Sequence, residues 1–317
     1  MLLRYAEAPE RSVSLRALMM KSTTRLKNIC QRREAVIMPG TPNALFARVI
    51  QDLGFEAVYV TGAGISNMHL GVPDIGLVTL TELTEHVDAI TDVVDIPVLV
   101  DADTGFGNPI NMARTVRALE RAGAAGIQIE DQVFPKKCGH FSGKAVISTE
   151  EMIQKIRAAL DNRLDADFQI IARTDSRAIH GLDAAIDRAH RFIDAGADVT
   201  FVEAPRSTDE MQRIARELPA PQIANIVFGG LTPELDQKSL KMMGFGIVLY
   251  ANAALQAALR AVYSVLNSLK TSGSLKDAGE LLASFEERQR AVNKAAFDEL
   301  ESRYRVLSEA TGNGDAP

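Results

Sequence analysis

The chain has 317 residues, 46% hydrophobic and 24% charged, enough to bury a full core as one large domain or two small ones. Its net charge of −6, the absence of Trp and an aromatic content of 5% argue against broad nucleic-acid binding, which needs a basic face and stacking rings. No apolar run reaches the roughly 18 residues of a membrane span. The two cysteines have no paired spacing, which suits a reducing cytoplasm rather than a disulfide framework.

Residues 1–20 mix charges with short apolar pieces and lack the apolar stretch of a secretory signal. They read as an N-terminal extension, with Met19 or Met20 an equally good start. From residue 34 onward, short β-rich runs alternate with amphipathic segments. The strand candidates are 35–38, 57–60, 98–100, 127–129, 168–172, 199–202, 222–224 and 247–250. Between them the apolar 3.6 period marks helices at 43–53, 80–93, 109–122, 150–160, 182–195 and 209–217. Ser148 and Ser207, each followed by acidic residues, read as helix starts. Gly54, Gly123, Gly196 and Gly244 stand where helix ends need a left-handed residue. Strands spaced by helices imply a parallel sheet. Eight such units fit a (β/α)8 TIM-type barrel, and a doubly wound open sheet is the runner-up. Two further helical segments, 254–269 and 275–304, follow the last strand. The second exceeds what a barrel needs and is expected to pack on another subunit. The domain would span 21–305, with a frayed tail at 306–317.

Polar groups recur at the C-terminal ends of these strands. Tyr59 and Thr61 close the second, Asp101 and Asp103 follow the third, and Glu130 the fourth. Arg173 follows the fifth, Glu203 the sixth and Asn225 the seventh. In a barrel these ends converge on the face that carries active sites. Asp101 and Asp103, two apart on an extended backbone, would point the same way. With Glu130 they offer only carboxylate oxygens, which suits Mg²⁺. Zinc prefers Cys and His, and the five histidines show no HxxxH spacing. Thr61-Gly62-Ala63-Gly64 is a small-residue turn able to expose backbone N–H groups. Arg173 suits a carboxylate clamp by its fork geometry. Lys136-Lys137-Cys138-Gly139-His140 sets a thiol among cations that would lower its pKa, whereas Cys30 reads as a bystander.

These motifs together resemble the isocitrate lyase/phosphoenolpyruvate mutase superfamily. They are the run from Val100 to Gly107, Ile129 to Gln132, Lys136 to His140 and Ala172 to Asp175, in family order over about residues 24–304. The resemblance implies a (β/α)8 barrel, a last barrel helix exchanged between subunits, a homotetramer built as a dimer of dimers, and Mg²⁺, for which Mn²⁺ would substitute. The cysteine-containing loop resembles the lyase branch, which cleaves 2-methylisocitrate, isocitrate or 2,3-dimethylmalate.

By that resemblance Asp101, Asp103 and Glu130 belong to the metal site, and Asp74 lies behind it. Cys138 corresponds to the acid that protonates the carbanionic product, with Lys137, His140 and Tyr59 completing the catalytic group. Thr61, Gly62 and Ala63 hold a substrate carboxylate. Arg173, Glu203 and Asn225 complete the substrate shell. The partner expected is a small carboxylate, with neither nucleic acid nor membrane. Two departures stand out. Thr61-Gly62-Ala63 replaces a Ser-Gly-Gly or Ser-Gly-Trp turn, and apolar residues 226–230 replace polar ones. An apolar wall disfavours a third carboxylate and leans towards a substrate of dimethylmalate type. Rival readings are oxaloacetate cleavage, carbon–phosphorus chemistry, which Cys138 disfavours, and a non-catalytic metabolite-binding barrel.

Overall fold

A computed structural model describes residues 20–137, 139 and 143–305. Residues 1–19 of the 1–20 extension, the tail at 306–317 and loop residues Cys138 and His140 lie outside the described residues.

The elements run α1 (Ser22–Arg32), β1 (Val36–Thr41), α2 (Ala44–Asp52), β2 (Val58–Val60) and α3 (Gly62–Ile65), which continues into a π-helical turn at Ser66–Leu70. Then come α4 (Leu80–Thr91), β3 (Val98–Asp101), α5 (Pro109–Arg121), β4 (Gly126–Glu130), α6 (Thr149–Asn162) and β5 (Gln169–Thr174). They are followed by α7 (Arg177–His180), α8 (Leu182–Asp194), β6 (Val199–Val202), α9 (Thr208–Glu217), β7 (Ile223–Asn225), α10 (Gln237–Met243), β8 (Ile247–Tyr250) and α11 (Ala253–Ser272). All eight expected strands form, each within a few residues of its expected bounds. The helix starts also hold: Ser148 Oγ accepts from Glu151 N and Ser207 Oγ from Glu210 N, both at 3.1 Å.

Every strand pairs in parallel in the order β6-β5-β4-β3-β2-β1-β8-β7. A single parallel bridge, Thr200 to Gln222, joins β6 to β7 and closes the circle. The fold is a TIM-type (β/α)8 barrel. Successive side chains on a strand point to opposite faces, and the sequence uses this strictly. Val58, Val60, Val98, Val100, Ile127, Ile129, Ile170 and Ala172 pack outward in the core shared with the helices. Met38, Tyr59, Leu99, Ile171, Phe201, Ile223 and Leu249 fill the interior. Leu26, Ile29 and Cys30 of α1 join that interior cluster, so α1 plugs the end where the strands begin. Lys27 and Thr24 tether α1 to Asp167 at 2.6 and 2.7 Å.

One compact unit, ending at Arg260, holds the barrel; a second begins at Ala261. The second contains the end of α11, a 3-10 turn (Lys276–Leu281), α12 (Phe285–Ala291) and α13 (Lys294–Arg303). Residues 275–304, expected as one helical segment, are thus three short ones. Ser284 starts α12 with a capping box, and Asn293 in the left-handed region, φ 53°, interrupts the chain before α13. No helix among the described residues is long and apolar enough to cross a membrane.

Candidate active site

The interior parity of the strands builds the site. One position beyond the apolar interior layer, at i+2, the inward residues become polar: Leu99 is followed by Asp101, Ile171 by Arg173, Phe201 by Glu203 and Ile223 by Asn225. On β4 the same face carries Gln128 and then Glu130. Asp101, Glu130, Arg173, Glu203 and Asn225 converge on a cavity of about 190 Å³, which Tyr59, Thr61, Ala63, Asp74, Lys136, Lys137 and Gly139 also line. A cavity of this size suits a small metabolite and is below the range for drug-sized ligands. Gly62 belongs to the same rim, because a Cβ there would stand 3.3 Å from both Asp101 Oδ2 and Asp103 Oδ1.

Asp103 reaches this position differently from the extended geometry its spacing suggested. Its backbone lies in the left-handed region, φ 48°, a conformation that Asp tolerates better than most residues. The Asp103 N–H donates to Asp101 Oδ1 at 3.2 Å, and the Asp103 carbonyl accepts from Glu130 N at 2.8 Å. A tight turn, rather than an extended strand, brings the two carboxylates together.

The site's charges are buried and interlocked. The Lys136 ammonium, 3% exposed, pairs with Asp74 and lies 2.8 Å from Asp103 Oδ1. Arg173 Nε lies 3.0 Å from Asp175 Oδ2, 3.4 Å from Glu130 Oε2 and 3.7 Å from Glu203 Oε2, with its guanidinium 5.3 Å over the Phe201 ring. Burial pushes the Asp103 carboxyl up to about 6 against the pull of Lys136. Burial also holds Glu130 well above the ordinary carboxylate range, although Arg173 and Lys136 oppose it. For Lys136 burial works downward, but Asp103, Glu130, Asp74 and Asp101 together hold it well above the usual lysine value. Burial and then the Asp101 charge raise the Tyr59 phenol well above its usual value. Tyr59 donates to Gln128 Oε1 at 2.8 Å. A phenol held neutral in this way suits donation better than proton uptake.

The donor chemistry fits a hard divalent cation. Asp101, Asp103 and Glu130 present only carboxylate oxygens, and buried Glu130 Oε1 has no hydrogen-bond partner among the described residues. No three acids, among the described residues, converge as a ready-made ligand cluster. Mg²⁺ needs only one or two carboxylates, completing its shell with water and substrate.

Four further side chains complete the site. Lys136 neighbours the thiol in sequence, whereas its ammonium sits among the acids. Gln128 shares the inward parity of Glu130, which could have revealed it. Asp175 joins Arg173 to Lys144, whose Nζ lies 2.5 Å from Asp175 Oδ1. Asn252 follows β8 and also lines the cavity.

Residues 26–270 match the family described as phosphoenolpyruvate phosphomutase. The chain belongs to this family. It is a lyase of the phosphoenolpyruvate mutase/isocitrate lyase superfamily. It is similar to the 2,3-dimethylmalate lyase of Eubacterium barkeri, 41% identical over 285 residues that cover 90% of this chain and 99% of that protein. It is also similar to a 2-methylisocitrate lyase of Aeropyrum pernix, 46% identical over 252 residues that cover 80% and 81% of the two chains. A crystal structure of 2,3-dimethylmalate lyase superposes with a TM-score of 0.85 at 32% identity, covering 94% of this chain and all of that one.

Proposed function

We propose that this lyase cleaves the C2–C3 bond of a small 2-hydroxy dicarboxylate with methyl substituents, of the 2,3-dimethylmalate type, to a 2-oxo acid and a carboxylic acid. The observation that carries this reading is a contrast within one cavity. Acids and cations share the lining with Val227, Phe228, Gly229 and Gly230, a run with no polar side chain. A third carboxylate against that wall would lose hydration without a charged partner.

Asp101 and Asp103, with Glu130 behind them, would hold Mg²⁺, which when bound polarises the hydroxyl and carboxylate of the substrate. The remaining roles belong to side chains. Arg173 is locked by Asp175, Glu203 and Glu130 and keeps its fork in one orientation, so it can receive the charge that develops on the departing carboxylate. Lys136 stays charged and balances the acids. Tyr59 and Gln128 form a neutral, buried hydrogen-bonded pair next to Asp101. As C2–C3 breaks, its electron pair passes into an enediolate on the C3 fragment. C2 becomes the keto carbon as its hydroxyl proton passes to a carboxylate of the Asp101, Asp103 and Glu130 group. Cys138, flanked in sequence by Lys137 and Gly139, supplies the proton that returns to C3.

A panel of 2-hydroxy and 2-oxo diacids tests the reading, with coupled detection of the 2-oxo acid product. Turnover of 2,3-dimethylmalate well above that of 2-methylisocitrate and oxaloacetate is expected. Preference for the tricarboxylate, or for oxaloacetate, would overturn the assignment of substrate class.

A further inference from the structure

The corner of the cavity where β8 meets β1 and β2 holds a polar side chain to which the scheme above gives no role. Tyr250 of β8 pairs with Pro39 of β1. A side chain at position 40 would collide with the Ala251 carbonyl, so only glycine lets the two backbones close in. The chain therefore leaves β8 low over β1 and delivers Asn252 to the end of β2 before α11 begins. There Thr61 N donates to Thr41 O at 3.2 Å, which fixes Thr61 against the same strand.

The Thr61 hydroxyl is already committed. It accepts from Gly64 N at 3.2 Å and donates to Asn252 Oδ1 at 3.4 Å. It has no proton left for a ligand. Its bond to Oδ1 turns the amide so that Nδ2 points elsewhere, and Nδ2 has no hydrogen-bond partner among the described residues. Asn252 lines the same cavity as Thr61 and Ala63, and Val227, Leu249 and Ala251 add apolar surface to that lining. The amide Nδ2 is thus a side-chain donor left available in the lining that Asn252 shares with the 61–63 turn.

We infer that Asn252 is a specificity-determining residue whose amide N–H donates to the substrate carboxylate received at the 61–63 turn, with Thr61 orienting the amide. This rests on the reading of the site as a dicarboxylate-cleaving one. A hydrogen bond to a charged oxygen is among the stronger single contacts a neutral side chain makes.

The test is calorimetric titration of the whole protein with oxalate in Mg²⁺-containing buffer. Asn252→Asp retains the size and the acceptor for Thr61 but removes the donor, and Asn252→Ala removes both. Ile110→Ala, at a position 80% exposed on α5, is the control. Both Asn252 variants should lose affinity by about tenfold or more, with Asn252→Asp keeping the thermal midpoint of the parent. Unchanged affinity in Asn252→Asp would overturn the inference, as would a parent protein that does not bind oxalate. A lower thermal midpoint with intact binding would leave Asn252 a purely structural part and would also overturn it. The two claims separate cleanly. Loss of oxalate binding in the variants with no diacid cleaved by the parent defeats the lyase substrate and keeps Asn252. Cleavage with an unaltered KM in both variants does the reverse.

Discussion

Cys138 and Cys30 show how differently two thiols in one chain can be used. Cys138 stands beside Lys136 and Lys137 in sequence, where cations favour the thiolate. If it returns the proton to C3, Cys138→Ser should lower kcat by about 10²- to 10⁴-fold, because a hydroxyl is a far poorer acid. Oxalate affinity should persist, since Arg173 and the acids do not depend on the thiol. Retention of most of kcat would remove Cys138 from the scheme. Cys30 is 1% exposed in the barrel's interior cluster, and burial pushes its thiol up to about 12 from the usual 9.0. The unfolded thiol ionises first, so the folded state holds the extra proton between those values. Stability should therefore fall as pH rises through that window and be unaffected below it. Urea midpoints measured from pH 8 to pH 10 should decline less steeply in Cys30→Ala than in the parent. Equal slopes would contradict the burial of this thiol.

Much of the site was legible at this scale because strand parity is a period of two. Once Leu99, Ile171, Phe201 and Ile223 face inward, the next inward residues are Asp101, Arg173, Glu203 and Asn225. Lys136 and Asn252 were not legible in the same way. Neither sits on a strand, and what each one touches depends on loop paths that no spacing records. The turn at Asp103 escaped for the same reason, since an aspartate two places after another fits either an extended chain or a left-handed bend.

Elements are held to the site by a polar network behind it. Arg188 of α8 donates to Asp131 Oδ2 at 3.0 Å, to Thr149 Oγ1 at 3.0 Å and to the Ile147 carbonyl at 2.7 Å. Asp131 is fully buried and also accepts from Thr174 Oγ1 at 2.7 Å and Asp175 N at 2.9 Å. Asp175 in turn fixes Arg173, so α8 supports the clamp through two acids. Burial already raises the Asp131 carboxyl above its usual range against the pull of Arg188. Removing that arginine strands a buried charge, a change worth about 3 kcal/mol or more. Arg188→Ala should lower unfolding free energy by about that amount, and adding Asp131→Asn should recover part of it. A loss below about 1 kcal/mol, the range of surface pairs, would contradict this role. The strands and the Ser148 and Ser207 caps were readable because each depends on local chemistry. The breaks that divide residues 275–304 were not, since Ser284 and Asn293 lie in a segment whose apolar spacing stays helical throughout.

At the scale of the molecule, the C-terminal helices present more apolar surface than a lone chain usually leaves bare. Leu259, Val262, Tyr263 and Leu266 form a stripe on α11 at spacings of three and one, each more than half exposed. In the second unit Phe285 and Phe297 are 70% and 60% exposed. The occupant we expect is another copy of this chain, giving the homotetramer that the family resemblance implies. Light scattering at micromolar concentration should return a multiple of 34.4 kDa, and a stable monomer would contradict the expectation.

Cleavage of a methylated 2-hydroxy diacid and return of a solvent proton to the leaving carbon leave separate marks on the products. One NMR measurement reads both steps: 2,3-dimethylmalate incubated with the protein and Mg²⁺ in D₂O. Equimolar pyruvate and propionate are expected, with a single deuterium at the α-carbon of propionate and no turnover after chelation of the metal. Undiminished substrate, or propionate formed without deuterium, would contradict the scheme.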